Sequence, residues 1–142
     1  MGITEQNIRE YITRVNVPIG GAYSFVWAVN MPSFGEFALF GSAATLFCMQ
    51  YNILNVSDRG IFFIGVDGMG RLTDANLWFP AETITNVRIK KGAMAYNIEI
   101  QASGVTMKYR VNKHMVGAGF QKVNVEHAIQ MLDGFNRRTP MR

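Results

Sequence analysis

Two histidines, His114 and His127, one cysteine, Cys48, and ten carboxylates are the side chains from which acid–base, nucleophilic or metal chemistry would have to be built. A metal site needs several ligands at short, regular spacings, and no HxH, HExxH or His/Cys cluster occurs. His114 follows Lys113 in a loop-like stretch, and His127 falls in the last helical stretch, where a solvated polar residue needs no further role. Asp67 and Asp74 bracket the segment Gly68–Thr73. Acids in turns ordinarily hold local backbone geometry, so a catalytic pair does not follow from them. Gly68-Met69-Gly70 is too short to cradle a phosphate, and neither GxxxxGK[ST] nor GxSxG is present. Cys48 cannot form an intramolecular disulfide, and its apolar neighbours mark it as a small buried hydrophobe. The expectation is a protein that is not an enzyme, with no catalytic residue, no metal and no cofactor.

Charge carries more information. The formal net charge is +4, yet residues 1–59 hold only Arg9, Arg14 and Arg59 against four acids. The positive excess therefore lies wholly in the second half, which gives a weak preference for anionic surfaces. Hydrophobic residues make up 49% of the 142 and charged ones 17%, enough apolar material for one packed domain and too little charge for disorder. Residues 22–49 contain one charge, Glu36, but Asn30, Pro32, Ser33 and Gly35 break the run before it is long enough to span a bilayer. The stretch MGITEQNIREYI has neither a basic nor an apolar leader region, so a cytoplasmic protein is expected, with the membrane surface as an alternative location.

The elements that would position these side chains follow from periodicity. Residues 4–15 read as a helix with Thr4 as N-cap and Ile8, Tyr11, Ile12 and Val15 at helical spacing. Ala22–Val29 is a short apolar strand. In Phe34–Met49 a capping-box pattern favours a short buried helix, while Gly41-Ser42-Ala43-Ala44 would equally allow an extended segment. Tyr51–Ser57 and Ile61–Asp67 flank the turn Asp58-Arg59-Gly60, and Ala75–Phe79 forms a short strand ending at Pro80. Thr85, Val87 and Ile89 alternate with polar residues, as do Tyr96, Ile98 and Ile100, and then Val105, Met107, Tyr109 and Val111. Ser103-Gly104 is a two-residue hairpin loop. Asn124 is the expected N-cap of a closing helix with Val125, Ile129, Leu132 and Phe135 on its apolar stripe.

Tyr51–Ile64, with its Ser57-Asp58-Arg59 turn, the segment Pro80–Gly92, in which Ile84 leads into Val87-Arg88-Ile89-Lys90-Lys91-Gly92, and the helix Phe120–Phe135 together resemble bacterial pleckstrin-homology (PH)-like proteins. The resemblance covers residues 50–136 and implies a mainly β fold: a PH-like seven-strand barrel of antiparallel meander strands, capped by a C-terminal helix. Residues 1–142 would be a single PH-like domain whose first 49 residues form a helical and apolar N-terminal extension. Such scaffolds bind lipids, peptides or proteins, and some bacterial versions assemble into homo-oligomeric rings. Phosphoinositide-binding members carry Lys and Arg on the first hairpin. Here the matching segment, Ala22–Val29, has none and the next hairpin has only Arg59, which argues against inositol-phosphate recognition.

Two surfaces remain. With Ser103-Gly104 as the loop, Glu99 lies opposite Lys108 and Asn97 opposite Arg110; with Lys91–Met94 as the preceding turn, Arg88 lies opposite Asn97. Arg88, Lys90, Lys108 and Arg110 then share one outward face with Glu99 as its only acid, suited to an anion or an acidic partner. Nucleic acid is not expected, since Tyr96 and Tyr109 point inward and leave that face without stacking aromatics. The other surface is the aromatic excess at Phe25, Trp27, Phe34, Phe37 and Phe40, expected to take part in a protein contact or self-association. The preferred reading is a non-catalytic binding or assembly module with its protein partner or ligand unidentified. The alternative is a peripheral membrane module that meets anionic lipid through the basic face and residues 34–49.

Overall fold

The computed structural model describes residues 3–31, 46, 48–115 and 118–138. Helix α1 (Glu5–Val15) starts because Thr4 and Asn7 satisfy each other's backbone: Thr4 Oγ1 accepts the Asn7 N–H at 3.1 Å, and Asn7 Oδ1 accepts the Thr4 N–H at 3.2 Å. It stops at Asn16, whose φ of 64° is left-handed. Strands β1 (Tyr23–Asn30), β2 (Tyr51–Ser57), β3 (Gly60–Val66), β4 (Leu72–Pro80), β5 (Ile84–Lys91), β6 (Ala95–Ala102) and β7 (Val105–Asn112) precede helix α2 (Phe120–Arg138). They form one antiparallel sheet in the order β4-β3-β2-β1-β7-β6-β5.

The expected closure into a barrel is not formed. β4 and β5 are the two ends of the ladder, and the 3-10 turn Ala81–Thr83 joins them in sequence without pairing them. The sheet is also nearly split at its centre. β1 and β7 pair only at Val29↔Arg110 and Asn30↔Tyr109, whereas β1 and β2 pair over seven positions.

Helix α2 fills that split. Gln121, fully buried, accepts the Trp27 N–H at 2.8 Å on its Oε1, while its Nε2 donates to the carbonyls of Trp27 at 2.9 Å and Asn112 at 2.8 Å. Asn124 is not the N-cap, because the helix begins earlier at Phe120. Its Nδ2 instead donates to the Phe25 carbonyl at 3.0 Å. At the other end Asn136 accepts the Val87 N–H at 2.9 Å and donates back to the Val87 carbonyl. Buried backbone groups need partners, and here amide side chains stand in for missing strands.

β2 and β3 are buried on both faces, which is why β3 reads as an unbroken apolar run, while β2 also buries Asn52, Asn55 and Ser57, each hydrogen-bonded to a backbone carbonyl. On the inner face Val26, Leu54, Val56 and Phe63 meet Ile98, Ile100 and Met107 of the other half-sheet and Val125, Ala128, Leu132 and Phe135 of α2. On the outer face Phe25, Ile53, Phe62 and Ile64 lie with Ile8, Tyr11 and Ile12 of α1. Residues 1–49 thus supply a central strand and the helix over its outer side.

Two local expectations change. Thr85 is exposed rather than inward, because a register shift between Ile84 and Asn86 leaves Ile84 and Val87 as the buried residues. Cys48 is exposed, not buried. The helix expected over 34–49 lies outside the described residues apart from Leu46 and 48–49. Among the described residues no helix is long and apolar enough to cross a membrane.

Candidate functional site

Alternation along β5, β6 and β7 sends one residue of every two to the outer face. The register sets Arg88 beside Glu99 and Glu99 beside Lys108, so three charged residues form a row across the half-sheet. A second row is Lys90, Asn97 and Arg110, and Arg110 faces Val29 on β1. The expected pairing of Arg88 with Asn97 is corrected here. β5 continues to Lys91, which pairs with Tyr96, and the turn closes between Gly92 and Ala95 through an N–H to carbonyl bond of 2.9 Å. The turn centre lies further along than spacing suggested, and the β5 partners from Asn86 to Lys91 move by two.

Glu99 makes its ion pair with Arg88, at 3.9 Å. The Arg88 side chain is 73% exposed, so the pair contributes roughly 0–1 kcal/mol and leaves the guanidinium open to a ligand. Arg88, Lys90 and Lys108 line one shallow groove of ≈ 480 Å³ with Met31, Asn97, Glu99 and the backbone-side residues Ile89, Ile98 and Tyr109. Met31 is 44% exposed and is anchored where its N–H meets the Lys108 carbonyl at 2.8 Å. Among the described residues the groove therefore offers three cations, one acid, one amide and a thioether. Arg110, though exposed on the same face, does not line it.

Tyr109 fixes the underside of this half-sheet. Its ring is fully buried, and its hydroxyl donates to Asn52 Oδ1 at 2.5 Å, linking β7 to β2. Burial pushes the Tyr109 phenol well above its ordinary range, so it serves as a neutral donor. Asn52 in turn donates to the Tyr51 and Leu46 carbonyls.

The aromatic residues separate. Phe25 is 4% exposed and packs on Phe120 with ring centroids 4.8 Å apart, so it belongs to the outer core. Trp27 is half-buried beside Tyr51 at 5.4 Å, with its indole N–H buried and without a hydrogen-bond partner among the described residues. Phe34, Phe37 and Phe40 lie outside the described residues. His114 and His127 are both exposed, and among the described residues no three metal-ligating side chains come together.

A larger concavity, ≈ 800 Å³, went unnoticed in the sequence because its walls are distant in the chain. α1 contributes Asn7, Glu10, Tyr11 and Arg14, the β3–β4 connection contributes Arg71, and β4 contributes Thr73 and Asp74, so Asp74 stands in a strand rather than in a turn. Tyr11 holds the walls together by donating to the Thr73 carbonyl at 2.5 Å. Asp67 shapes the connection, as expected of a turn acid. Its Oδ1 accepts the Arg71 N–H at 2.9 Å and the Met69 N–H at 2.8 Å, and these bonds hold the carboxyl below its ordinary range.

Against known proteins, no family model matches the chain, and no curated protein matches it.

Proposed function

We propose that this chain is a non-catalytic binding module on a PH-like scaffold, and that its working surface is the groove of Arg88, Lys90 and Lys108. The observation that carries this reading is the convergence of three cations on one concave strip, with Glu99 as the only carboxylate along it among the described residues. The seven-strand meander and the helix seated in its split support the scaffold assignment. The partner is an acidic protein segment. Its carboxylates would meet Arg88, Lys90 and Lys108, Asn97 would hydrogen-bond its backbone, and Met31 would cover an apolar side chain at the rim. The module would work in the cytoplasm and without a cofactor.

Binding of a short poly-glutamate probe, followed by fluorescence anisotropy at several salt concentrations, tests this. The Arg88→Gln/Lys90→Gln/Lys108→Gln variant is compared with a charge-matched control, Arg9→Gln/Arg14→Gln/Arg59→Gln. Loss of affinity by about tenfold or more in the first and about twofold or less in the second is expected, since close charge pairs contribute more than general attraction. Equal losses in the two variants would mean that net charge alone attracts the probe.

A further inference from the structure

We propose that the concavity between α1 and the start of β4 binds a free α-amino acid with an apolar side chain. Its volume of ≈ 800 Å³ falls within the range of small-molecule sites. Each wall brings one cation and one acid: Glu10 and Arg14 come from α1, Arg71 and Asp74 from the other side. Among the described residues the lining is therefore mixed in charge and neutral in sum. A ligand with a single charge meets a like charge on either wall. One that carries a carboxylate and an ammonium side by side pairs with both signs and leaves no charge opposed.

The charged groups are held in place. The Arg14 guanidinium carbon lies 4.8 Å from the centre of the Tyr11 ring. Tyr11 is itself fixed, since its hydroxyl donates to the Thr73 carbonyl and accepts from Asn76 Nδ2 at 3.0 Å. Burial pushes the Tyr11 phenol up and the Asn76 bond pulls it down. The charges of Asp74 and Arg14 act on it in opposite senses, which sets both groups about one hydroxyl. Arg71 reaches Asp67 Oδ2 through its Nε at 3.3 Å, and its terminal nitrogens carry four further N–H donors suited to a carboxylate. Arg71 and Asp74 stand three residues apart with Leu72 between them, so the α-carboxylate falls to Arg71 and the α-ammonium to Asp74. The ligand's side chain then lies against Ile3, which is buried, and half-buried Leu72. Met69 lines the same concavity at 76% exposure, and its unbranched thioether can settle on that side chain. This concavity shares no lining residue with the groove, so the proposal does not rest on the acidic-partner reading.

Titration of the ¹⁵N-labelled full chain with L-leucine, read from backbone amide shifts, tests this against two analogues with the same side chain. Leucinamide lacks the carboxylate, and isocaproate lacks the ammonium. Saturable shifts at Asn7, Arg14, Arg71 and Asp74, with a Kd of about 1 mM or tighter, are expected for L-leucine. Each analogue should bind about tenfold or more weakly, because it leaves one charged partner unanswered. Asp74→Asn and Arg71→Gln alter exposed side chains, circular dichroism checks their fold, and each should weaken L-leucine about tenfold or more. The groove variant Arg88→Gln/Lys108→Gln should stay within about twofold of the parent, because its charges are not in this site. The proposal is overturned if L-leucine gives no saturable shifts at these residues, if either analogue binds as well as L-leucine, or if Asp74→Asn or Arg71→Gln binds it like the parent. Each of those results would leave poly-glutamate binding at the groove intact, and failure of the groove to bind poly-glutamate would leave the amino-acid site standing.

Discussion

The side-chain amide of Gln121 hydrogen-bonds both the N–H and the carbonyl of Trp27, as a neighbouring strand would. At the far end of the same helix Asn136 treats Val87 in the same way. α2 is therefore a partner to the backbone of β1 and β5 as well as a cover for the apolar core.

Unequal costs follow for the two amides. Gln121→Ala strips three backbone groups of a partner at a fully buried site, and each unpaired group costs about 1–3 kcal/mol, so a loss of about 3 kcal/mol or more is expected. Asn136 is exposed, water can replace it, and Asn136→Ala should cost about 1 kcal/mol. Urea unfolding of the two variants measures both. Equal costs would show that α2 is held by its apolar stripe alone.

Gly60 opens β3 with φ at 148°, and a Cβ there would stand 2.2 Å from the Phe79 carbonyl oxygen. Backbone cannot retreat as a side chain can, so Gly60→Ala should destabilise by about 3 kcal/mol from strain and overpacking combined. Gly104 has φ at 78° with nothing within 4 Å of a Cβ, and Gly104→Ala should cost only about 1 kcal/mol. Thermal denaturation of the pair separates steric clash from conformational strain.

Tyr96 gives the fold an alkaline limit. The hydrogen bond to Glu126, with burial and the carboxylate charge adding to it, pushes its phenol up to about 12. Its folded value lies above the unfolded one, so its contribution is complete below pH 10 and is lost as pH rises toward 12. Urea midpoints measured across that window should fall in the parent. Tyr96→Phe should be less stable at neutral pH by about 1 kcal/mol and should show a shallower alkaline decline. A decline of unchanged steepness in Tyr96→Phe would assign it to other groups.

Tyr109 and Asn52 tie the two half-sheets together near the place where β1 and β7 pair. Tyr109→Phe leaves the Asn52 Oδ1 without that donor in a fully buried site, an expected loss of about 1–3 kcal/mol. Amide hydrogen exchange should accelerate on both β2 and β7. Acceleration on β7 alone would show that the bond does not couple the halves.

Much of the fold was legible where burial is one-sided. Tyr96, Ile98 and Ile100, and Met107, Tyr109 and Val111, alternate in the sequence and are buried as that alternation requires. The positive φ of Ser103 and Gly104 fits the hairpin loop read there. What escaped depends on distant or subtle geometry. The pairing of Arg88 turned on where the β5–β6 loop centres, and alternation is insensitive to a two-residue shift. Asn124 looks like a helix cap in sequence, but its amide answers the Phe25 carbonyl, a demand created by the gap between β1 and β7. The exposure of Cys48 depends on the path of the chain rather than on its neighbours' polarity. The groove combines residues of three strands with Met31 beyond a fourth, so alternation shows Arg88, Lys90, Asn97, Glu99 and Lys108 on one face but not that Met31 joins them.

The central claim is that the groove on β5, β6 and β7 is where an acidic segment binds. Titrating ¹⁵N-labelled protein with the poly-glutamate probe and following backbone amide shifts tests it residue by residue. The account predicts saturable changes concentrated at Arg88, Lys90, Asn97, Glu99 and Lys108, with Met31 moving as well. Changes centred on Asn7, Arg14 and Arg71 in the larger concavity, or spread evenly over all exposed cations, would contradict it.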